Sequence, residues 1–369
     1  MKRTLLITEH CIELAGMGQP LDGVFDSLYE AYYRSRALPW PQLSAAAQKY
    51  FDADPTSSTA HNAYFENFSI IWGELFDARR YDDAERLWYD ALIPALHWED
   101  SHPGVFLHKG TPYYFWAMTL LIKGDIDRGY LLMHQAVEED LRTSNQAAPD
   151  SPAYAFVSLD YEKTDQAFRT WVQAQAEFLA NLLQDYDTTH QRTLTLDDVK
   201  HRFLEVPPST DTLFLFTYTL DRFRNLTRLP EHTVNNPFAG QLRLNLLFDI
   251  TLIVDSTIKP KSNSRKFIDH LEFLLKKAGS PLTSAQLRDI NSQFKDGFDK
   301  ALDASLDGTL SIEQTSPLNR LQCDVALTYG LRNHSAHSTS TANSIRTRFD
   351  NVQLAVFRTF FATIDQLYR

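Results

Sequence analysis

The sequence predicts an all-α protein: N-terminal helical hairpins of repeat-like character, followed by a C-terminal helical bundle. Three observations predict it. Apolar residues recur in steps of three and four, most regularly as Ile345, Phe349, Val352, Val356, Phe360, Ile364 and Leu367 near the end of the chain. Helix-start residues such as Thr195 and Ser284, and stops such as Gly279, Pro281 and Gly308, punctuate the periodic segments. Tyr81, Ala84, Leu87 and Ala91 can be laid over Ile126, Gly129, Leu132 and Ala136 at a constant offset of 45 residues. Small residues in the second and fourth places let paired helices approach closely, as tetratricopeptide-like hairpins do.

In chain order, residues 1–50 read as irregular structure followed by short helices, with Phe25, Leu28, Tyr29, Tyr32 and Tyr33 at helical spacing. Helices are predicted over Ala63–Asp77 and Tyr81–Leu96, then over Pro112–Lys123 and Asp125–Arg142. Further helices are predicted over Thr164–Tyr186, from an N-cap at Thr195, and over Thr212–Asn225. The last of these carries enough aromatic and β-branched residues to be read as a strand, but its length and its Leu220, Phe223, Leu226 spacing favour a helix. Thr227–Gly240, with Pro230, Asn235, Asn236 and Pro237, reads as a linker. Beyond it, Leu242–Ile258 is almost continuously apolar, broken by Asp249 and Asp255, and reads as a helix buried on several sides. A helix marked by Phe267, Leu271, Leu274 and Leu275 follows. A more polar one runs from Ser284 to about Leu302, then come one over Leu318–Leu331 and a long final helix from near Ala342.

A length of 369 residues implies two domains, placed at 1–230 (regulatory or partner-binding) and 238–369. At 43% hydrophobic and 12% aromatic, the chain has ample material for a core, which excludes wholesale disorder. Cys11 and Cys323 are the only cysteines, so neither a disulfide framework nor a cysteine zinc site is expected. The N-terminus turns polar too soon for a signal peptide. No apolar run was expected to reach the roughly eighteen residues that span a bilayer. A cytoplasmic location without membrane contact is therefore expected. Charge is uneven: residues 240–369 carry 16 Lys and Arg against 13 Asp and Glu, a net of +3, which leaves −14 for residues 1–239 out of the chain's −11. The mildly basic end suits a phosphate-bearing substrate, and the acidic end suits a partner or ligand. Acidity that only keeps the protein soluble is an equally good reading of the same numbers.

The densest chemistry lies in Arg332-Asn333-His334-Ser335-Ala336-His337, between an apolar helix and a Ser/Thr-rich break. An Arg holds phosphate oxygens bidentately and keeps its charge, while a His moves a proton near neutral pH. On a continuous helix, residues five apart sit about 140° from one another, so Arg332 and His337 converge only if the helix ends between them. A motif of Arg, a polar residue and a His four to six residues on, set between the last two helices of a small all-α bundle, resembles the HEPN superfamily of ribonucleases. The resemblance covers roughly residues 238–369 through Arg332, Asn333 and His337. It implies a metal-independent endoribonuclease needing no cofactor, which cuts single-stranded RNA at a composite site on a homodimer interface. Catalytic roles fall to Arg332, Asn333 and His337, with His334, Asp249 and Asp255 as accessory candidates. By analogy it also implies a role in prokaryotic defence or toxin-type growth control. Three alternatives stand beside it: a non-catalytic RNA- or protein-binding module, a dimeric helical-repeat scaffold, and a helix C-terminus whose cations only complement the dipole.

Other patterns are weaker. His97, Glu99, Asp100, His102 and His108 crowd one segment, yet without HExxH or comparable spacing they read as a solvated loop rather than a metal site. No glycine-rich phosphate loop and no GxSxG elbow is present. The clusters Tyr113–Trp116 and Phe214–Tyr218 could stack bases but read better as core.

Overall fold

The computed structural model describes residues 2–54, 58–144, 151–228, 236–312, 317–334 and 339–369. About three quarters of the chain is helical, and the single sheet among the described residues has two strands, so the all-α class holds. The sheet is one departure from expectation. Strands β1 (Lys2–Ile7) and β2 (His10–Ala15) pair antiparallel with Lys2 opposite Ala15, where irregular structure was expected. Buried Ile12 and Leu14 alternate with exposed residues along β2, the two-residue period of a half-buried strand. Asn67, fully buried, accepts from the Ala15 amide at 2.9 Å and donates to its carbonyl at 3.1 Å, so a side chain continues the ladder at the strand's end.

The chain divides into two compact units, Met1–Tyr154 and Ala155–Arg369. The first unit holds α1 (Leu21–Ser35), α2 (Trp40–Asp52), α3 (Ser58–Asp77), α4 (Tyr81–Ser101), α5 (Gly110–Lys123) and α6 (Ile126–Ser144). Helices α3 and α4 pack against one another, and so do α5 and α6. Gly129 of α6 meets α5 so closely that a Cβ there would stand 2.5 Å from the Leu121 side chain. Ala84, Ala91 and Ala136 are fully buried. Most of the Tyr113–Trp116 cluster is core: Tyr113 and Tyr114 are buried, and Phe115 stacks on Trp72 at 4.1 Å.

The second unit is built round α11 (Pro237–Ile258). It also contains α8 (Arg169–His190), the short α9 (Leu196–Val199), α10 (Thr210–Thr227), α12 (Phe267–Lys277), α13 (Ser284–Asp296), α14 (Phe298–Asp307), α15 (Arg320–His334), α16 (Thr339–Arg346) and α17 (Phe349–Leu367). A further short helix, α7 (Pro152–Val157), lies where the division falls. The division corrects the expected boundary, because α8 and α10 belong with the bundle. Their apolar faces pack on the final helix: Phe216 stacks on Phe360 at 4.8 Å, Phe223 meets Phe357 at 5.5 Å and Tyr186 meets Phe361 at 5.8 Å. Of the stretch read as a linker, residues 229–235 lie outside the described residues, whereas Pro237–Gly240 forms the first turn of α11, because Asn236 caps that helix through its side chain.

Three local expectations are also corrected. The capping box before α13 is formed by Thr283 with Gln286, one residue ahead of Ser284. The helix predicted from there to Leu302 is two helices, separated at Gly297. The long final helix is likewise divided, between Arg346 and Phe349. Among the described residues, Pro237–Lys261 is the one helical stretch long and apolar enough to cross a membrane by length and composition. This departs from the expectation that no apolar run reaches that length, and half of its most apolar window is buried in the bundle.

Candidate functional site

Helix α15 is described through His334 and α16 from Thr339, and residues 335–338 between them lie outside the described residues. Arg332 is half-buried, with its guanidinium carbon 4.8 Å above the Phe248 ring of α11. Its Nε is buried without a hydrogen-bond partner, and among the described residues no carboxylate pairs with it. An Arg stacked on an aromatic face keeps its outer donors free for an anion. His337 lies outside the described residues.

Asn333 and His334 are held by α13. Asn333 is exposed and its amide donates to Asn291 Oδ1 at 3.0 Å. His334 Nε2 lies 3.1 Å from the same oxygen, which requires the proton on Nε2. Burial pushes the His334 imidazole below its ordinary value; the bond to Asn291 partly opposes this and the Lys295 charge adds to it. His334 is therefore neutral at pH 7, a donor to Asn291 rather than a cation.

The accessory carboxylates go elsewhere. Asp255 lies 2.6 Å from Nδ1 of the buried His270, whose Nε2 is 3.0 Å from the Ser264 carbonyl. This is a closed structural pair. Asp249 follows Phe248 in α11, and burial raises its carboxyl above the ordinary range while Arg222 pulls part of that back. It is the Phe248 ring of α11 over which the Arg332 guanidinium lies.

Two features of the bundle escaped the sequence reading. The first is a buried charge network. Asp324, eight residues before Arg332 on α15, is fully buried. It accepts two hydrogen bonds of 2.8 Å from Arg358 and lies 3.1 Å from His190 Nε2 and 2.9 Å from Arg320. Arg358 also donates to Asp185 at 2.8 Å. Burial would raise Asp324, but the hydrogen bonds and charges of Arg358, His190 and Arg320 outweigh it and hold the carboxyl below its ordinary value. Asp324 and Arg358 were visible as charges inside apolar runs, the pattern that signals buried pairing. The second feature is an arginine-lined cavity beside α17.

In the first unit, the acidic and histidine-rich segment forms no common site. Glu99 and Glu139 close on Lys109, itself 1% exposed, at 2.6 and 3.2 Å, and Arg142 bridges both carboxylates. Burial would raise Glu99, but Lys109 and Arg142 hold it below the ordinary range. His102 stacks on Trp98, His108 faces Thr143, and His97 and Asp100 are exposed.

Comparison of the chain with protein-family models, with curated proteins and with solved structures gives no match. The site's chemistry therefore rests on its own residues.

Proposed function

We propose that the chain is a cytoplasmic, metal-independent endoribonuclease of HEPN-like type, acting on single-stranded RNA at a site that two copies of the C-terminal bundle complete. The observation that carries the reading is Arg332 itself: half-buried, stacked on Phe248 and lacking a carboxylate partner among the described residues. In RNA the 2′-hydroxyl already neighbours the scissile phosphate, so no external nucleophile is needed. His337 takes the 2′-hydroxyl proton as the 2′-oxygen attacks phosphorus. Arg332 binds the charge that builds on the non-bridging oxygens. The 5′-oxygen leaves and takes a proton from a second imidazole, which a two-fold dimer supplies as the partner's copy of the same residue. A 2′,3′-cyclic phosphate and a 5′-hydroxyl result.

Because Asn291 engages Asn333 and His334, these two serve to tie α15 to α13 rather than to move protons. The same tie favours the second reading, a bundle that binds RNA or protein without cutting. The acidic N-terminal region offers a surface for a protein partner or ligand, and a role in defence or toxin-type growth control follows by analogy alone. Incubating the full chain with end-labelled single-stranded RNA in EDTA tests the reading. Cleavage to cyclic-phosphate ends that is lost in R332A and H337A, with circular dichroism unchanged, supports it. Retention of RNA without cleavage supports the binding module instead.

A further inference from the structure

A cavity of about 730 Å³ opens where α10, α11, α16 and the start of α17 meet. It lies within the volume range of small-molecule sites. Four arginines line it: Arg228, Arg243, Arg346 and Arg348. Arg348 is committed, donating to Asp303 at 2.5 and 2.9 Å and to Asp299 at 3.3 Å. The other three have no carboxylate within ion-pair distance among the described residues. Arg243 is the telling one. It is 9% exposed, its guanidinium carbon sits 4.9 Å over the Phe349 ring, and one nitrogen donates to the Arg346 carbonyl at 3.1 Å. Its Nε is buried with no partner, and so is that of Arg346.

A guanidinium loses much of its hydration when buried, and the loss is ordinarily offset by a carboxylate. Here none is present among the described residues, although the same bundle gives Arg358 two. The N-terminus of α17 faces the same space through Phe349, Asp350 and Asn351, and no side chain caps it. A helix start of this kind adds partial positive charge and free amides. The exposed Asp350 is the one carboxylate on the wall, so three uncommitted guanidiniums leave a surplus of two positive charges. A phosphate monoester dianion matches that surplus and the forked donors, whereas a carboxylate would neutralise only half of it. The remaining wall includes Phe178, Leu226 and Leu354, all half-buried. It is suited to a flat, weakly polar body attached to the phosphate.

We infer that this cavity binds a nucleotide through a terminal phosphate monoester. The phosphate sits against Arg243, Arg346 and Arg228, and the base sits on the apolar wall. The inference goes beyond the ribonuclease reading and does not rest on Arg332 or His337.

Calorimetric titration of the full chain with AMP, inorganic phosphate and adenosine tests it, repeated on R332A so that the outcome is independent of RNA cleavage. AMP should bind at least about tenfold more tightly than inorganic phosphate, and adenosine should not bind, since the charge-assisted contacts are to phosphate. R228Q and R346Q, at exposed and half-exposed positions, should each weaken AMP about fivefold or more without lowering the unfolding midpoint. R243Q should abolish binding. Short deoxyoligonucleotides with and without a 5′-phosphate distinguish the two sources of the ligand: binding that needs the phosphate marks a strand end, and binding of AMP alone marks a free nucleotide. Either supports the inference. It is overturned if neither AMP nor the phosphorylated oligonucleotide binds at millimolar concentration, or if R228Q, R243Q and R346Q all bind as the wild type does.

Discussion

Asp324 is the residue at which the charges of three helices meet. Its carboxylate is fully buried and shared between Arg358, Arg320 and His190. Removing it leaves a guanidinium buried without its main partner, so D324N should destabilise the fold by about 3–5 kcal/mol, read from urea unfolding. The pH dependence has a definite sign. Because the native carboxyl is held below its ordinary value, its contribution is complete above about pH 4. It is lost as pH falls through the depressed native value, so wild-type stability should drop there while D324N loses less. The presence of such a pair was legible, since a charge inside the apolar run Leu321–Leu331 demands a partner. Which partner was not legible, because Arg358 lies 34 residues on from Asp324, and Asp185 lies 173 residues before Arg358. That Arg332 has no carboxylate partner among the described residues was equally hidden, for nothing in the sequence excludes a carboxylate from its neighbourhood.

Among the elements, α16 has the most bearing on the site, since it follows the Arg332–His337 stretch directly. It lies so close to the start of α11 that a Cβ on Gly240 would stand 2.8 Å from the Ala342 carbonyl oxygen. Backbone cannot give way as a side-chain tip can. G240A should therefore cost about 1–3 kcal/mol in urea and should also lower RNA cleavage, because α16 must shift. G129A in the α5–α6 hairpin should cost a similar amount with cleavage by the bundle unaffected. The close packing at Gly129 was legible from its match to Ala84. The division of the final helix was not: Ile345 to Phe349 is a step of four, so the apolar stripe stays in phase across the break. The β-hairpin was missed because strands this short alternate for too few residues to stand out from an irregular lead-in.

For the whole molecule, the proposed reading places RNA cleavage in the Ala155–Arg369 unit and has the chain assemble into a homodimer through it. Light scattering on the full chain should give twice the monomer mass of 42.4 kDa. The helical class was legible throughout, but the limits of the second unit were not. Nothing local marks that Phe216 and Phe223 of α10 stack on the final helix, more than a hundred residues later. The most direct measurement mixes two inactive chains. R332A and H337A, each incubated alone with labelled single-stranded RNA in EDTA, should leave it intact. Combined, they should recover a small part of the wild-type cleavage, because a mixed dimer brings one intact Arg332 and one intact His337 to a shared phosphate and water stands in for the missing second imidazole. Full activity in either variant alone, or no cleavage of any RNA by the wild type, would contradict the account.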